Sequence, residues 1–507
     1  SNRKLSNQYI EAARVYHEVT KHSYTSVRSS PYRLDWDNRP APYKIYPAAG
    51  TFALPRELEL SALPALEAIA GQPAAPDAAL GVEALTRMLF CMGGLTRSKR
   101  VGDEDYHFRA AASAGALYPT EIYLAAGEVE GLEPALYHFL PADLKLRGLR
   151  RGDWRPMLAR AAADRPELAH ARAILILTSI FWRSAWKYRA RAYRYCFWDA
   201  GTMLANLFAA AAAQRIDAGI VTAFKDSELE LLLGLDPDRE GAVAMVGIGA
   251  GGTPAATSPV VEAFPFESIA LSPSEVAYDS MIKFHRESRL VARDEVAAIA
   301  DARAANSAPP GELIRIGETA PEDSMGLGET ILRRGSTRQF AQAPILGEVL
   351  QSILAASSAP MRADFPPLID TYLIVNAVEG LAPGAYFFAR DAAGFELIKP
   401  GEFRDEAGYL CLEQPLGMDA SALIVYMADL ERTLAALGNR GYRDAHLEAG
   451  VRGGRAYLAA YALDRGASGL TFYDDDTAKF FAPHAAGKSP ILMVAVGVPR
   501  SQSEQKA

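Results

Sequence analysis

Arg333, Arg334, Gly335, Ser336, Thr337 and Arg338 gather three guanidinium groups and two hydroxyls within six residues. Arginine forks and neutral hydroxyl donors together suit a phosphate; the alternative is a solvated basic patch at a helix end. A second stretch runs from Arg109 through Ser113, Ala114, Gly115, Ala116, Leu117, Tyr118 and Pro119 to Glu121. Small side chains there would let backbone approach a planar ligand closely, or would form a plain loop before a strand. A third stretch, Trp186 to Tyr195, sets Lys187, Arg189, Arg191 and Arg194 among Tyr188, Tyr193 and Tyr195. A cation beside a phenol can lower or steer the phenol's proton. The same residues would also suit an interface helix.

The elements that must position these groups are duplicated. Residues 117–201 and 366–450 repeat each other at one offset (372 − 123 = 249), which pairs Tyr123 with Tyr372, Pro134 with Pro383, Tyr137 with Tyr386, Tyr193 with Tyr442, Arg194 with Arg443 and Gly201 with Gly450. So long a period is no short-repeat solenoid; it reads as a domain fused in tandem with its copy. The boundaries expected are an extended N-terminal arm over 1–50, a first repeat over 51–255, a helical connector over 256–315 and a second repeat over 316–507. In the first repeat, helices are expected over 80–95 and 199–213, and strands over 121–126, 173–178 and 244–248. In the second, helices are expected over 346–355 and 448–462, and strands over 371–375, 422–426 and 491–496. One connector helix is expected over 274–305, and the last seven residues read as frayed. Each half is long enough to bury its own core. No Gly-rich phosphate fingerprint opens any strand, which argues for an α+β fold and against dinucleotide-binding or P-loop architecture.

Composition narrows the function classes. A net charge of −8 supplies no polybasic field for nucleic acid or an anionic membrane. Cys91, Cys196 and Cys411 lie far apart and form no metal-ligand spacing, so buried thiols in a reducing cytoplasm are expected and no metal. The N-terminal residues carry no apolar core of a secretory signal. The most apolar stretch, 201–213, is too short to span a bilayer.

Taken together, these stretches resemble the nitroreductase-like FMN flavoproteins. The R-x-S-x-R of Arg334, Ser336 and Arg338 is similar to that family's FMN-phosphate motif. Ser113, Ala114, Gly115, Leu117 and Tyr118 are similar to its flavin-contacting loop, with Ala112 where the family usually has proline. The run K-Y-x-x-R-x-Y-R-Y from Lys187 to Tyr195 resembles the SagB-type dehydrogenases, the azoline oxidases of thiazole and oxazole peptide biosynthesis. So do the N-terminal YHEVTKHS and LDWDNRPAPYKIYP. The resemblance implies two tandem FMN-binding domains forming an intrachain pseudo-dimer, with Lys187 and Tyr188 as the catalytic acid/base pair. It also implies backbone contacts to the flavin edge from Gly469, Leu470 and Thr471, and a phosphate contact from Arg500.

The halves are complementary. Pairing the helices at Leu89 and Leu354 sets Ile69, Gly71 and Pro73 opposite Arg334, Ser336 and Arg338. At the 249 offset, Arg362, Asp364, Ala436 and Leu437 stand opposite Ser113, Gly115, Lys187 and Tyr188. One complete site, hence one FMN per chain, is expected. The reaction implied is a two-electron oxidation of a C–N-type bond, azoline to azole or similar, with hydride passing to flavin N5 and reoxidation by O2 or another acceptor. The alternatives are an NAD(P)H-dependent nitro- or quinone reductase and an inactive scaffold subunit of a peptide-modifying complex. The partners implied are a small-molecule or peptide substrate and other peptide-modifying enzymes.

Overall fold

The computed structural model describes residues 6–75, 78–303 and 309–501. Each half builds an antiparallel sheet flanked by helices. In the first, the strands lie in the order Thr51–Ala53, Lys145–Arg151, Ala135–Leu140, Thr120–Ala126, Ala173–Ile180, Glu240–Ile248, Ala218–Val221. In the second, the order is Phe340–Ala341, Ser489–Pro499, Ala422–Ala428, Asp370–Val375, Gly384–Ala389, Gly394–Pro400, with Gly466–Leu470 also pairing Ser489–Pro499. Register repeats with sequence. Tyr123 faces His138 and Ile176, and Tyr372 faces Phe387 and Val425. The central strands Ala173–Ile180 and Ala422–Ala428 are buried on both faces, so most of their side chains are apolar without alternation.

Two long helices, Ala192–Ala213 and Asn439–Ala462, form the seam between the halves. Alanine favours the helical state, and the first helix is buried on nearly every side and mostly apolar, with Arg194, Asp199 and Asn206 among the buried exceptions. The two cross at the repeat-related pair Gly201 and Gly450. A Cβ on Gly201 would lie 2.7 Å from the Gly450 Cα, and one on Gly450 would lie 2.8 Å from the Trp198 Cα. Backbone packs on backbone here, so only glycine fits. Gly450→Val should therefore cost about 3 kcal/mol or more; an unchanged urea midpoint would contradict this packing.

Buried ion pairs reinforce the seam with the same pseudo-symmetry. Arg191 and Arg194 both reach Asp474 at 2.8 Å, and Arg440 reaches Asp226 at 2.9 Å. Burial alone would raise the Asp474 pKa, but the two arginines outweigh it and hold the carboxyl well below its usual range. One apolar cluster runs through both halves, with a smaller second cluster in the first. The halves therefore share a core and do not each bury their own.

Two other expectations change. The N-terminal arm is helical over Glu11–Val19 and Tyr24–Arg28, and not extended throughout. The connector holds two helices, Asp279–Glu287 and Arg293–Ala300. The end of the expected 274–305 helix and most of the terminal tail lie outside the described residues. No helix among them is long and apolar enough to cross a membrane.

Candidate active site at the seam

The short helix Leu327–Arg333 ends at Arg334. Its counterpart, Ala65–Ala70, ends at Gly71. The helix ends therefore correct the sequence pairing by two residues: Gly71, Pro73 and Ala75 stand opposite Arg334, Ser336 and Arg338. None of these three residues offers a side-chain donor to an anion, although the Arg215 Nε of the same half donates to the Pro73 carbonyl at 3.1 Å.

Arg334 is buried and crosses the seam. Its Nε donates to the Ala110 carbonyl at 2.8 Å, and Nη2 donates to the Arg109 carbonyl at 3.2 Å. It thus ties the loop of one half to the start of the small-residue loop of the other. Ser336 and Arg338 are exposed. The Ser336 Oγ lies 2.9 Å from the Tyr457 hydroxyl, which also accepts the Gly469 N–H at 2.6 Å. Thr337 is structural: its hydroxyl bonds Tyr461 and the Ala467 N–H. Arg500 sits beside this loop, its N–H donating to the Gln339 carbonyl at 3.1 Å.

The small-residue loop is held from behind by Asp199 on the first seam helix. Asp199 accepts from the Ser113 hydroxyl at 2.6 Å and the Ala114 N–H at 3.1 Å. Ser113 Oγ in turn accepts the Tyr118 N–H. Gly115 takes a left-handed φ of 65°, which favours glycine. A Cβ there would stand 2.7 Å from the Tyr188 hydroxyl and 3.4 Å from the Lys187 Cδ. The loop and the Lys-Tyr pair thus meet, with Gly115 and Ala116 exposed and Leu117 buried beneath them.

Lys187 and Tyr188 end the helix Phe181–Tyr188. The N-terminal arm clamps that end. The Trp186 Nε1 donates to the Asp35 carbonyl at 2.7 Å, the Tyr32 hydroxyl donates to the Trp186 carbonyl, and Trp36 packs edge-on against Trp186. The next residue, Arg189, has φ 53° and ψ −141°, while its repeat partner Gly438 has φ 69° and ψ −160°. The first half thus forces a side chain into a glycine conformation immediately after the pair.

The electrostatics reverse one expectation. Burial, then Tyr195 and Asp199, raise the Tyr188 pKa far above that of a free phenol. Lys187 does not lower it, so Tyr188 keeps its proton. Partial burial, then the positive charge of Arg338, lower the Lys187 pKa instead. A lysine poised this way is the better proton acceptor. From the second half, Thr471 approaches, its hydroxyl 3.3 Å from that of Tyr195, which packs edge-on against Tyr188.

Two observations bear on what this cleft holds. Lys187, Arg338, Arg334 and Arg97 converge, and among the described residues no carboxylate forms an ion pair with any of them. Such a cluster is a ready anion site. The second observation is the other, degenerate site. There Asp364 accepts the N–H groups of Thr222 and Ala223, both at 2.9 Å, and residues 362–364 pair with the edge strand at Ile220. On the complete side the repeat partner of Asp364 is Gly115, and no acceptor among the described residues meets the Thr471 and Phe472 N–H groups. These free donors after Gly469 and Leu470 fit the edge of a planar, acceptor-bearing ring. The acid that fills the degenerate site is therefore missing where a ligand is expected. A cavity of about 790 Å³ lies beside the degenerate site, against Asp364, Phe365 and Arg452.

Asp199, Tyr457 and Arg97 were not assigned from sequence. A signal existed for Asp199, whose repeat partner Glu448 accepts the N–H groups of Leu368 and Ile369 in the same way. Glu448 also pairs with Arg452 at 2.9 Å; the repeat partner of Arg452 is Met203, so Asp199 has no such cation. Burial consequently raises Asp199 to about 7, opposed by Ser113 and Ala114. A free aspartate titrates near ~3.9, so the folded chain keeps this proton where the unfolded chain has lost it. Stability is then lost as pH rises from ~4 to ~7. In FMN-free protein, Asp199→Asn should gain about 2–4 kcal/mol over the native chain between pH ~4 and pH ~8. Parallel urea midpoints at the two pH values would contradict the raised pKa.

Among the described residues no group of His, Cys, Asp and Glu could hold a metal. All three cysteines are buried, and burial pushes Cys91 and Cys196 up to about 12.

Known proteins agree with this architecture. A protein of Methanocaldococcus jannaschii assigned to the nitroreductases is 28% identical over 154 residues, which is 30% of this chain and 74% of the relative. A crystal structure from Anabaena variabilis, also assigned to the nitroreductases, is 29% identical, with a TM-score of 0.78, covering 96% of this chain and 99% of its own. The Nitroreductase family model matches twice, over residues 77–250 and 331–498, more than half of the sequence: the chain belongs to the nitroreductase family.

Proposed function

We propose that the chain is an FMN-dependent oxidoreductase of the SagB type that oxidises a C–N-type bond, azoline to azole or similar. The observation that carries this reading is the meeting of Lys187 and Tyr188 with Gly115 on one side and Arg338 on the other. An ordinary flavin reductase site needs no lysine–phenol pair beside the ring loop. Nitroreductase-family proteins generally use FMN, and the residues here suit it. Arg334, Ser336, Arg338 and Arg500 would hold the phosphate. The loop Ser113–Tyr118 and the backbone of Gly469, Leu470 and Thr471 would hold the ring.

When bound, FMN supplies the two-electron acceptor. The chain's own residues handle the protons. Azoline to azole releases two electrons and two protons, and Lys187, with its lowered pKa, takes a proton from the substrate. Tyr188 stays protonated and donates a hydrogen bond that orients the reacting ring. A peptide substrate, delivered within a peptide-modifying assembly, fits the exposed mouth formed by Gly115, Ala116 and Lys187.

The test is anaerobic reduction of the FMN-loaded protein. Bleaching by azoline-containing peptide, with little by NADH or NADPH, is the expected result. Rapid bleaching by a nicotinamide and none by the peptide would replace this reading with that of a nitro- or quinone reductase. Protein that stays colourless after FMN addition would indicate a scaffold subunit.

A further inference from the structure

The strands Leu95–Val101 and Glu104–Arg109 form a hairpin just before the ring loop. The second half has no such hairpin: its helix Gly347–Ser357 runs into an irregular segment. This asymmetric element carries Arg97. The hairpin's register slips between Leu95, which faces Arg109, and Arg97, which faces Phe108. The extra residue is Thr96. Bulges of this kind re-aim side chains beside functional sites. Here the guanidinium lies 4.6 Å from the Phe108 ring centroid and across the seam against the second half. A Cβ on Gly335 would lie 3.0 Å from its Nη1 and 3.2 Å from its Nη2. Gly335 lies between Arg334 and Ser336, so Arg97 rests on the backbone of the anion loop itself. It is exposed, and no carboxylate among the described residues pairs with it.

We propose that Arg97 is a further cofactor-binding residue: a guanidinium contributed in trans by the first half's hairpin that completes the phosphate site on the second half's R-x-S-x-R loop. Three features point there together. The hairpin exists only on the complete side of the pseudo-dimer, the bulge re-aims Arg97, and a side chain at Gly335 would crowd the contact. The ligand chemistry is a phosphate monoester, and the inference rests on the FMN reading above. Its consequence is that one phosphate group is bound from both halves at once.

The experiment compares FMN with riboflavin, which lacks the phosphate, by flavin-fluorescence quenching on the full chain. The variants are Arg97→Ala and Arg97→Gln, the second keeping an aliphatic stem and a neutral polar end without the charge. Native protein should prefer FMN to riboflavin. Both variants should weaken FMN about 10–100-fold, as loss of a charged hydrogen bond does, and leave riboflavin binding unchanged. Unchanged FMN affinity in both variants would overturn the proposal. Equal weakening of FMN and riboflavin would also overturn it, by reducing Arg97 to a structural role. Native protein that binds neither flavin would sink the FMN reading itself. Native protein that binds both equally would remove the phosphate site from that reading.

Discussion

Replacing Lys187 with alanine should leave FMN affinity within about twofold of native and lower turnover of the true substrate by about 10²–10⁴-fold, the usual worth of a positioned acid or base. The split follows from position. The Lys187 stem lies against Gly115, and its ammonium feels Arg338, but neither loop depends on it for a hydrogen bond. Binding should therefore survive its loss. The pH profile adds a second readout. Partial burial and Arg338 favour the neutral amine, so activity should rise with pH through a pKa below that of an ordinary lysine, and that limb should vanish in the variant. Arg338→Gln should move the limb to higher pH by removing the repelling charge. Tyr188→Phe should cost less than the lysine change, because a phenol whose pKa is raised serves by donating a hydrogen bond. Full turnover in Lys187→Ala would remove the lysine from the chemistry.

Sequence and structure agree best where burial writes directly into residue type. The strand Ala173–Ile180 is buried on both faces and reads as an apolar run through Leu177. The seam helices were visible in part, as the expected helices over 199–213 and 448–462; the structure begins them earlier, at Ala192 and Asn439. The connector was not readable. Its 274–305 pattern looks like one helix, but Asp226 captures the Leu290 N–H at 2.8 Å and Glu295 captures the Val291 N–H at 2.9 Å. The first of these bonds is tertiary and the second local, and together they stop the helix where propensity would continue it. The cation-rich stretch after Trp186 was half readable. Arg191 and Arg194 looked as chemical as Lys187, yet both are committed to Asp474, some 280 residues further on. No local spacing reports a partner that distant. Arg97 was invisible for a related reason: its relevance comes from a bulge and from the opposite half.

The second large effect tests the asymmetry. Arg334→Ala combined with Arg338→Ala should lower FMN affinity by about 10²–10⁴-fold, since each charged hydrogen bond to phosphate is worth about 1.5–3 kcal/mol. Arg334 should contribute the larger share, because its guanidinium also ties the anion loop to Ala110 at the base of the ring loop. The equivalent change on the other side, Gly71→Ala, should leave flavin content unaltered at one FMN per chain, because Gly71 has no side-chain donor to lose and Ala75, opposite Arg338, is already alanine. The ring side makes the same case. The Asp364 carboxylate already occupies the Thr222 and Ala223 N–H groups, and burial raises its pKa. Asp364→Ala should therefore loosen the edge pairing at Ile220 without admitting a second flavin, since Gly71, Pro73 and Ala75 still offer a phosphate no side-chain donor of their own. Two FMN per native chain, or native-like binding after both arginines are removed, would mean that the degenerate site is functional and that the pseudo-dimer is symmetric after all.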